Sequence, residues 1–311
     1  MSQNPSYRAA YLAAEGCEAD LRAELGSLVA AEHGRLFLSP EPAVNAAWAA
    51  NTWHDPREAE IASIAEAANL LKAEQRNWAA YAPLHHRRAS LIQEKLPHVS
   101  AKPLVFGTPL PPAPMGSFTL LAPDRLLYAA RCDSARPNGE YGFVENRNDP
   151  PSRAYLKLWE ALTRLGEMPQ PGQKCLDLGA CPGGWTWVIA SLGAQVDAID
   201  KAPLAPNVAA MPGVVWRQGS AFALDPRNEP AVDWLFSDVI CYPARLLALV
   251  QRWIAAGKAA RMLCTVKFQG ETDHETARAF AAIPGARLLH LHHNKHELTW
   301  FWSAAGSVAL R

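Results

Sequence analysis

The stretch from Lys174 to Asp200, KCLDLGACPGGWTWVIASLGAQVDAID, constrains this chain more than any other part of its sequence. A short apolar run, Cys175 to Leu178, stops at a glycine-rich turn, and apolar residues at helical spacing follow at once. A second apolar run then ends on Asp200. This order predicts strand, turn, helix and strand, with a ligand held at the turn.

The turn itself is suited to a nucleoside cofactor. Gly179, Gly183 and Gly184 let the backbone pass close to a ligand and adopt conformations that a side chain would forbid. The helix that follows points its unpaired N–H groups into the same crevice. Asp200, at the end of the second strand, can accept hydrogen bonds from a pair of ribose hydroxyls. The sequence of the turn matches neither the dinucleotide-binding fingerprint nor the phosphate-binding loop. The alternative to a cofactor site is a glycine-rich turn that serves only the fold.

Residues 177–185, DLGACPGGW, resemble the first motif of S-adenosylmethionine-dependent methyltransferases, in the form D-L-G-x-x-P-G-G-[WF] typical of FtsJ-like RNA ribose 2'-O-methyltransferases. The resemblance implies an α/β fold, a Rossmann-like class I methyltransferase domain with a mostly parallel seven-stranded sheet whose last strand is antiparallel. It also implies S-adenosylmethionine as the cofactor. The cofactor-binding residues implied in this way are Gly179, Ala180, Cys181, Pro182, Gly183, Gly184, Trp185, Asp200, Ser220 and Asp238.

Four ionisable residues at the edges of predicted elements match the Lys-Asp-Lys-Glu tetrad of that family: Lys157, Asp238, Lys267 and Glu297. A single charge at a strand end is usually only solvated. A ribose hydroxyl, however, is a poor nucleophile, so an enzyme must remove its proton and align its oxygen with the methyl group. We expect Lys267 to be the general base and Lys157 to supply the cation that favours its neutral amine. Asp238 and Glu297 would fix the geometry.

Within the FtsJ-like group, the chain is most similar to the RlmM family, bacterial enzymes that methylate a cytidine ribose of large-subunit ribosomal RNA. The similarity is carried by residues 151–161, the glycine turn and residues 295–299, and more thinly by residues 11–25. The family has a THUMP-type RNA-binding region ahead of its catalytic domain, which would be abbreviated here. Ser220 replaces an acidic residue near the adenine, and Ala154 replaces a residue that can offer a hydroxyl, so we expect weaker cofactor affinity.

The length of 311 residues allows two domains. We expect an N-terminal α+β region, THUMP or ferredoxin-like and RNA-recruiting, over residues 1–140, and the FtsJ-like methyltransferase domain over residues 145–311. The formal net charge of zero favours neither presence nor absence of a nucleic-acid partner. The most cationic spot of the N-terminal region, residues 85–88, is either a solvated helix start or a phosphate contact.

Several local predictions can be compared directly with a structure. The alanine-rich stretch 43–73 is predicted to be mostly helical, with an interruption at Asp55-Pro56. Residues 104–106 are predicted to form a strand. Ser152 is predicted to cap the helix that carries Lys157. In the C-terminal half, alternating strands and helices predict a parallel sheet with the ligand at the carboxyl ends of its strands, and two final strands that are antiparallel.

Six cysteines without a C-x-x-C or Cys/His spacing are typical of a reduced, intracellular protein. We see no leader sequence and no apolar run long enough for a membrane span. We therefore expect a cytoplasmic protein whose partner is RNA, specifically ribosomal RNA, without a membrane or a metal. The sequence does not determine the oligomeric state, for which a monomer is the default expectation. A metal site at His290, His292, His293 and His296 is the alternative, but strand alternation divides these residues between two faces.

Two other functions remain open. One is methylation of a different RNA, of a small molecule or of a protein. The other is a non-catalytic RNA-binding or assembly factor that retains the cofactor fold. Cys181 could also be a nucleophile, as in RNA base methyltransferases, although its place inside the cofactor turn argues against this role.

Overall fold

The computed structural model describes residues 7–306. These residues divide into two compact units, one formed by residues 7–104 and 110–142 and the other by residues 105–109 and 143–306. Between residues 7 and 306, no helix combines the length and the apolar character that crossing a membrane would require.

The N-terminal unit contains two β-sheets and three α-helices in the described residues. One sheet has the strand order β2-β3-β1-β4-β9 and the other the order β5-β8-β7-β6. The strands are β1 (Ala9–Ala13), β2 (Ala31–His33), β3 (Leu36–Ser39), β4 (Ala49–His54), β5 (Arg57–Glu60), β6 (Trp78–Ala80), β7 (Gly116–Ala122), β8 (Arg125–Ala129) and β9 (Arg131–Cys132). The helices are α1 (Glu18–Leu25), α2 (Ile64–Glu74) and α3 (His86–Glu94).

Helices α2 and α3 share an apolar cluster with the second sheet. Leu71 of α2, Ile92 of α3, and Trp78 and Phe118 of the sheet are all fully buried in it. The Trp78 indole donates a hydrogen bond to the Leu71 carbonyl (3.0 Å), so its polar end is also satisfied. Ser63 caps α2 by accepting a hydrogen bond from the Glu66 amide (3.1 Å). Burial of this amphipathic face explains why α2 forms here.

The helical prediction for residues 43–73 is wrong over the part that forms β4 and β5. Strand β4 pairs with the central strand β1, with Tyr11 opposite Thr52, and most of its residues are buried. Asp55 adopts a left-handed backbone (φ 48°) between the two strands. The alanines favour a helix locally, but pairing with a strand forty residues away decides the conformation.

The predicted strand at residues 104–106 is also absent from the described structure. Leu104 makes one isolated backbone hydrogen bond, from its amide to the Gly142 carbonyl (2.8 Å). Phe106 instead stacks on Trp159 of the C-terminal unit, with ring centroids 4.8 Å apart. Apolar side chains in this segment therefore serve packing rather than strand pairing.

The C-terminal unit is built on one seven-stranded sheet with the order β12-β11-β10-β13-β14-β16-β15. Its strands are β10 (Lys174–Leu178), β11 (Gln195–Asp200), β12 (Val214–Gln218), β13 (Val232–Ser237), β14 (Ala259–Lys267), β15 (Ala286–Leu289) and β16 (Glu297–Ser303). Its helices are α4 (Tyr155–Leu165), α5 (Gly184–Ser191), α6 (Pro206–Ala209), α7 (Pro243–Ala256) and α8 (His274–Ala281).

The predicted α/β fold is confirmed in this unit. Strands β10 to β14 are mutually parallel, and β16 is antiparallel to both of its neighbours. From β10 the chain proceeds outward through β11 to β12, then returns to the other side of β10 with β13. Such a reversal of strand order leaves a crevice outside the carboxyl ends of the strands, which is where ligands bind in open α/β sheets.

The predicted helix cap at Ser152 is wrong. Helix α4 begins at Tyr155, and Ala154, the preceding residue, makes no side-chain cap. Ser152 lies instead against the glycine turn, where a Cβ atom added to Gly184 would be 2.6 Å from its hydroxyl oxygen. A side chain that the sequence assigns to a helix end is therefore part of the crevice.

Candidate functional site

A cavity of about 330 Å³ opens at the carboxyl ends of β10, β11 and β13. Most of the residues expected to bind a cofactor line it: Gly179, Ala180, Cys181, Pro182, Gly184, Trp185, Asp200 and Asp238. Lys267, which was expected to be catalytic, lines the same cavity, as do Ser152, Ala154, Asp177, Val239 and Ile240. Gly183 and Ser220 do not line it. The volume lies in the range of ordinary small-ligand sites.

The glycines of the turn are required by close packing. Gly179 has a left-handed backbone (φ 79°), and a Cβ atom there would lie 2.8 Å from Cα of Val239. Gly183 (φ 112°) would place its Cβ 2.9 Å from the Val208 side chain. Distances under 3.0 Å between such atoms are forbidden by van der Waals repulsion. The turn consequently brings bare backbone to the edge of the cavity.

Asp200 is held at the end of β11 by the turn that it faces. One carboxylate oxygen accepts a hydrogen bond from the Cys181 amide (3.0 Å), and the other accepts one from the Ala202 amide (3.0 Å). Each oxygen can accept further hydrogen bonds, for example from two neighbouring hydroxyl groups of a ligand. Burial and the nearby Asp200 carboxylate raise the pKa of the Cys181 thiol.

Asp177 is a site residue that the sequence reasoning did not single out, although it lies in the motif. It is fully buried, and Oδ2 accepts a hydrogen bond from the Thr186 hydroxyl (2.6 Å). Oδ1 has no hydrogen-bond partner among the described residues. Burial raises the pKa of Asp177 to about 7. A carboxylate in the middle of an apolar strand is the signal that could have revealed it, since such a group is costly without a donor.

The four residues of the expected tetrad come together beside the cavity. The Asp238 Oδ1 atom accepts a hydrogen bond from Lys157 Nζ (2.8 Å) and lies 3.1 Å from Lys267 Nζ. Lys267 also donates to the backbone carbonyl of Asp238 (2.5 Å). Glu297 Oε1 lies 3.0 Å from Lys157 Nζ. All four side chains are less than a fifth exposed, so water screens these contacts only partly.

Each member of this cluster comes from a different element. Lys157 lies in the first turns of α4, Asp238 directly follows β13, and Lys267 and Glu297 face each other in the pairing of β14 with β16. Because β13 and β14 are parallel neighbours, their carboxyl ends present Asp238 and Lys267 at the same edge. The cluster therefore depends on the sheet order and not on any local motif.

Glu160 supports the cluster and was missed by sequence reasoning. It lies one turn beyond Lys157 on α4 and is fully buried. Its carboxylate accepts hydrogen bonds from the His292 amide (2.8 Å) and the His293 amide (3.0 Å), and it contacts His293 Nδ1 (2.9 Å). Directly after His293, the Asn294 side chain donates to the Glu297 carbonyl (3.1 Å). Glu160 thus links α4 to the segment that leads into Glu297.

The two positions where the chain departs from the family pattern contribute through other contacts. The Ser220 hydroxyl accepts a hydrogen bond from the Phe222 amide (3.3 Å) and starts a short 3₁₀ turn. The Ala154 carbonyl accepts a hydrogen bond from the Trp185 indole (3.0 Å) at the cavity wall. Ser220 is thereby engaged locally, whereas Ala154 offers backbone to the cavity.

His290, His293 and His296 each contact a different partner. His290 Nε2 lies 2.9 Å from the Lys295 carbonyl, and His296 Nε2 lies 2.8 Å from the Thr272 hydroxyl. His293 contacts Glu160. Across residues 7–306, no group of three or more His, Cys, Asp or Glu side chains is placed to hold a metal ion.

Comparison with known proteins identifies relatives of the C-terminal part of this chain. Residues 150–275 match the model of the family described as FtsJ-like methyltransferase. A protein named ribosomal RNA large subunit methyltransferase M from Halorhodospira halophila is 42% identical over 157 residues, 48% of this chain and 46% of the relative. A protein of the same name from Aromatoleum aromaticum is 35% identical over 176 residues, 51% of this chain and 46% of the relative. The chain thus matches about half the length of these relatives.

The likeness to solved structures is weaker. Fibrillarin from Aeropyrum pernix, solved with bound S-adenosyl-L-methionine, aligns over 63% of this chain and 84% of its own, with 15% identity and a TM-score of 0.37. A likeness of this size supports no argument about function.

Proposed function

We propose, from the premise that the C-terminal half of this chain belongs to the FtsJ-like methyltransferase family, that the protein transfers the methyl group of S-adenosylmethionine to a ribose 2'-hydroxyl of RNA. The observation that carries the proposal is the cluster of Lys157, Asp238, Lys267 and Glu297, which adjoins the cavity at Asp238 and Lys267. Large-subunit ribosomal RNA is the proposed substrate, because the relatives named above carry that substrate in their names.

The residues of the cavity suit this cofactor. Asp200 is held by two backbone amides and would accept hydrogen bonds from both ribose hydroxyls. Gly179 and Gly184 line the cavity without side chains, so a ligand there would meet the backbone of the turn directly. Oδ1 of Asp177 would accept a hydrogen bond from a donor in the cavity. S-adenosylmethionine, when bound, supplies a methyl group already activated by its sulfonium.

The contacts of the two lysines support different roles. Lys157 Nζ lies within 3.0 Å of both carboxylates of the cluster, Asp238 and Glu297, so we assign it the charged role. Lys267 shares a single Asp238 oxygen and also donates to the Asp238 carbonyl. A neutral amine has two N–H groups, which these two acceptors can take, and one lone pair.

In our proposal, that lone pair of Lys267 takes the proton of the ribose hydroxyl. The resulting ammonium stays beside the Asp238 carboxylate, which stabilises the charge as it forms. Lys157 holds Asp238 and Glu297 in place. Because the four side chains are held by one another, the base is oriented before the substrate binds, which reduces the cost of alignment.

The N-terminal region, residues 1–140, is the proposed RNA-recruiting part of the molecule. The exposed side chains of His86 and Arg87, at the start of α3, are candidates for phosphate contacts there. An enzyme that modifies ribosomal RNA would act in the cytoplasm. We propose no metal for the reaction, since the lysine pair supplies the base.

The test is methyl transfer from labelled S-adenosylmethionine to unmodified ribosomal RNA, with the product nucleoside identified by mass spectrometry. We expect a 2'-O-methyl nucleoside from the wild type. Lys267→Ala should lower kcat by about 100- to 10,000-fold, the usual contribution of a general base. Its dissociation constant for S-adenosylmethionine, measured by calorimetry, should change little.

Two further variants sharpen this test. Lys267→Arg keeps a cation that can donate to Asp238, but an arginine stays protonated and cannot act as a base. We expect it to be as inactive as Lys267→Ala. Lys258→Ala is the matched control, because Lys258 contacts the Glu229 carbonyl (2.9 Å) outside the cluster. Retained activity in Lys267→Arg would exclude Lys267 as the base, and cofactor binding without transfer to any RNA by the wild type would contradict the proposed reaction.

A further inference from the structure

Two large apolar side chains are exposed directly after Asp238. Ile240 is 77% exposed and Tyr242 is 66% exposed, whereas Cys241 between them is 7% exposed. The backbone at Tyr242 is extended (φ −65°, ψ 142°), and in an extended chain alternate residues point to the same side. The alternation of exposed and buried residues over 240–242 places Ile240 and Tyr242 on the solvent side and Cys241 on the protein side.

This surface begins at the rim of the cavity. Ile240 lines the cavity together with Lys267, the proposed base. Tyr242 lies two residues further on, immediately before α7. Single exposed apolar residues are common on proteins and need no explanation. An isoleucine and a tyrosine that are both exposed within four residues of Asp238 indicate a binding surface, since a ligand in that place would cover them.

A positive charge lies next to this surface. Arg245 lies three residues after Tyr242 on α7 and is exposed. Its guanidinium group lies over the Phe222 ring, 3.8 Å from the ring centroid, which fixes the position of the charge. An exposed aromatic ring beside a positive charge suits an unpaired nucleotide, because the base can stack on the ring and a neighbouring phosphate can meet the cation.

We propose that Ile240 and Tyr242 form a platform on which the base of the acceptor nucleotide stacks while its ribose reaches Lys267. This inference rests on the proposed function and deepens it, because it states how the substrate is held. A base that stacks on a protein side chain has left its own helical stack. The enzyme therefore takes its target nucleotide from RNA that is single-stranded at that position.

The experiment compares Tyr242→Ala and Tyr242→Phe with the wild type. Affinity for a fluorescently labelled, unstructured RNA oligonucleotide is measured in the presence of S-adenosylhomocysteine. Loss of one aromatic stacking partner should weaken RNA binding by about 5- to 150-fold in Tyr242→Ala. Tyr242→Phe keeps the ring and should bind RNA like the wild type. The dissociation constant for S-adenosylmethionine should be the same in all three proteins.

Val215→Ala is the matched control. Val215 is also highly exposed, at 60%, but it lies near the amino end of β12, whereas the cavity lies at the carboxyl ends of the strands. It should leave RNA affinity unchanged. Wild-type affinity no greater than that of Tyr242→Ala overturns the platform and would direct attention to a protein partner for this surface. Tyr242→Phe as weak as Tyr242→Ala overturns stacking, because the hydroxyl would then be the contact.

The platform and the proposed function fail in different ways. RNA binding that depends on the Tyr242 ring, without any methyl transfer by the wild type, supports the platform and contradicts the proposed reaction. Methyl transfer with normal RNA affinity in Tyr242→Ala overturns the platform and supports the reaction.

Discussion

Replacement of the buried Glu160 by alanine should both destabilise the C-terminal unit and impair catalysis without touching the cavity. In Glu160→Ala, the amides of His292 and His293 and the His293 ring lose a carboxylate that accepts from them at 2.8–3.0 Å. Glu160 has no exposed surface, so its carboxylate is shielded from water and depends on these donors. The segment that leads into Glu297 would then move.

The expected size follows from the contacts. Hydrogen bonds to a charged group contribute about 1.5–3 kcal/mol each, but their contributions are not additive. Glu160 also lies 3.5 Å from the Arg164 guanidinium, and breaking a buried ionic pair by removing one partner costs about 3–5 kcal/mol. We therefore expect the free energy of unfolding of the C-terminal unit to fall by about 3–5 kcal/mol. A displacement of Glu297 of about 1 Å would lower kcat by about 100-fold.

Urea unfolding followed by tryptophan fluorescence measures the first quantity, and amide hydrogen exchange at His292 and His293 reports the local effect. Glu167→Ala is the matched control. Glu167 also pairs with an arginine, Arg261 (2.7 Å), but its side chain is 35% exposed. Such partly exposed pairs contribute about 1 kcal/mol or less. Glu160→Gln keeps one acceptor oxygen, so its loss of unfolding free energy should lie between those of Glu160→Ala and Glu167→Ala.

The reasoning is refuted if Glu160→Ala unfolds at the same urea concentration as Glu167→Ala. It is also refuted if the His292 and His293 amides exchange at wild-type rates in Glu160→Ala, because the carboxylate would then not be their partner in solution. Loss of stability with unchanged kcat would separate the two roles, leaving Glu160 structural only.

Three further predictions concern the cavity wall. Burial raises the pKa of Asp177 from 3.8 to about 7, so between these pH values the folded state keeps a proton that the unfolded state has lost. The free energy of unfolding should therefore fall as the pH rises from about 4 to 7. Urea unfolding of Asp177→Asn at several pH values should lack this fall. Gly179→Ala should lower the melting temperature and weaken S-adenosylmethionine binding, because its Cβ would clash with backbone at a positive φ. Gly219→Ala, whose nearest contact would be 3.7 Å, should do neither in the same melting and calorimetric measurements. Cys181→Ser should keep methyl transfer in the RNA assay, because burial raises the pKa of this thiol and makes it a poor nucleophile; complete loss with intact cofactor binding would argue for the nucleophile alternative.

The sequence alone determined the centre of the C-terminal unit. The order of β10, the glycine turn, α5 and β11 follows from apolar periodicity and from glycines, both of which act over a few residues. The same holds for α7, in which the apolar residues Leu246, Leu249, Val250 and Trp253 recur at helical spacing and are all buried. The identities of the tetrad residues came from a family resemblance rather than from any local rule, and their roles remain predictions.

Tertiary structure alone decided what depends on distant segments meeting. The alanine-rich strands β4 and β5 form because other strands pair with them, although local propensity favours a helix. Glu160 gains its partners from residues more than a hundred positions away. Whether Ile240 and Tyr242 are covered or exposed is likewise set by what the fold places around them. A sequence records propensities within a few residues, whereas pairing, burial and the partners of a buried charge are properties of the packed chain.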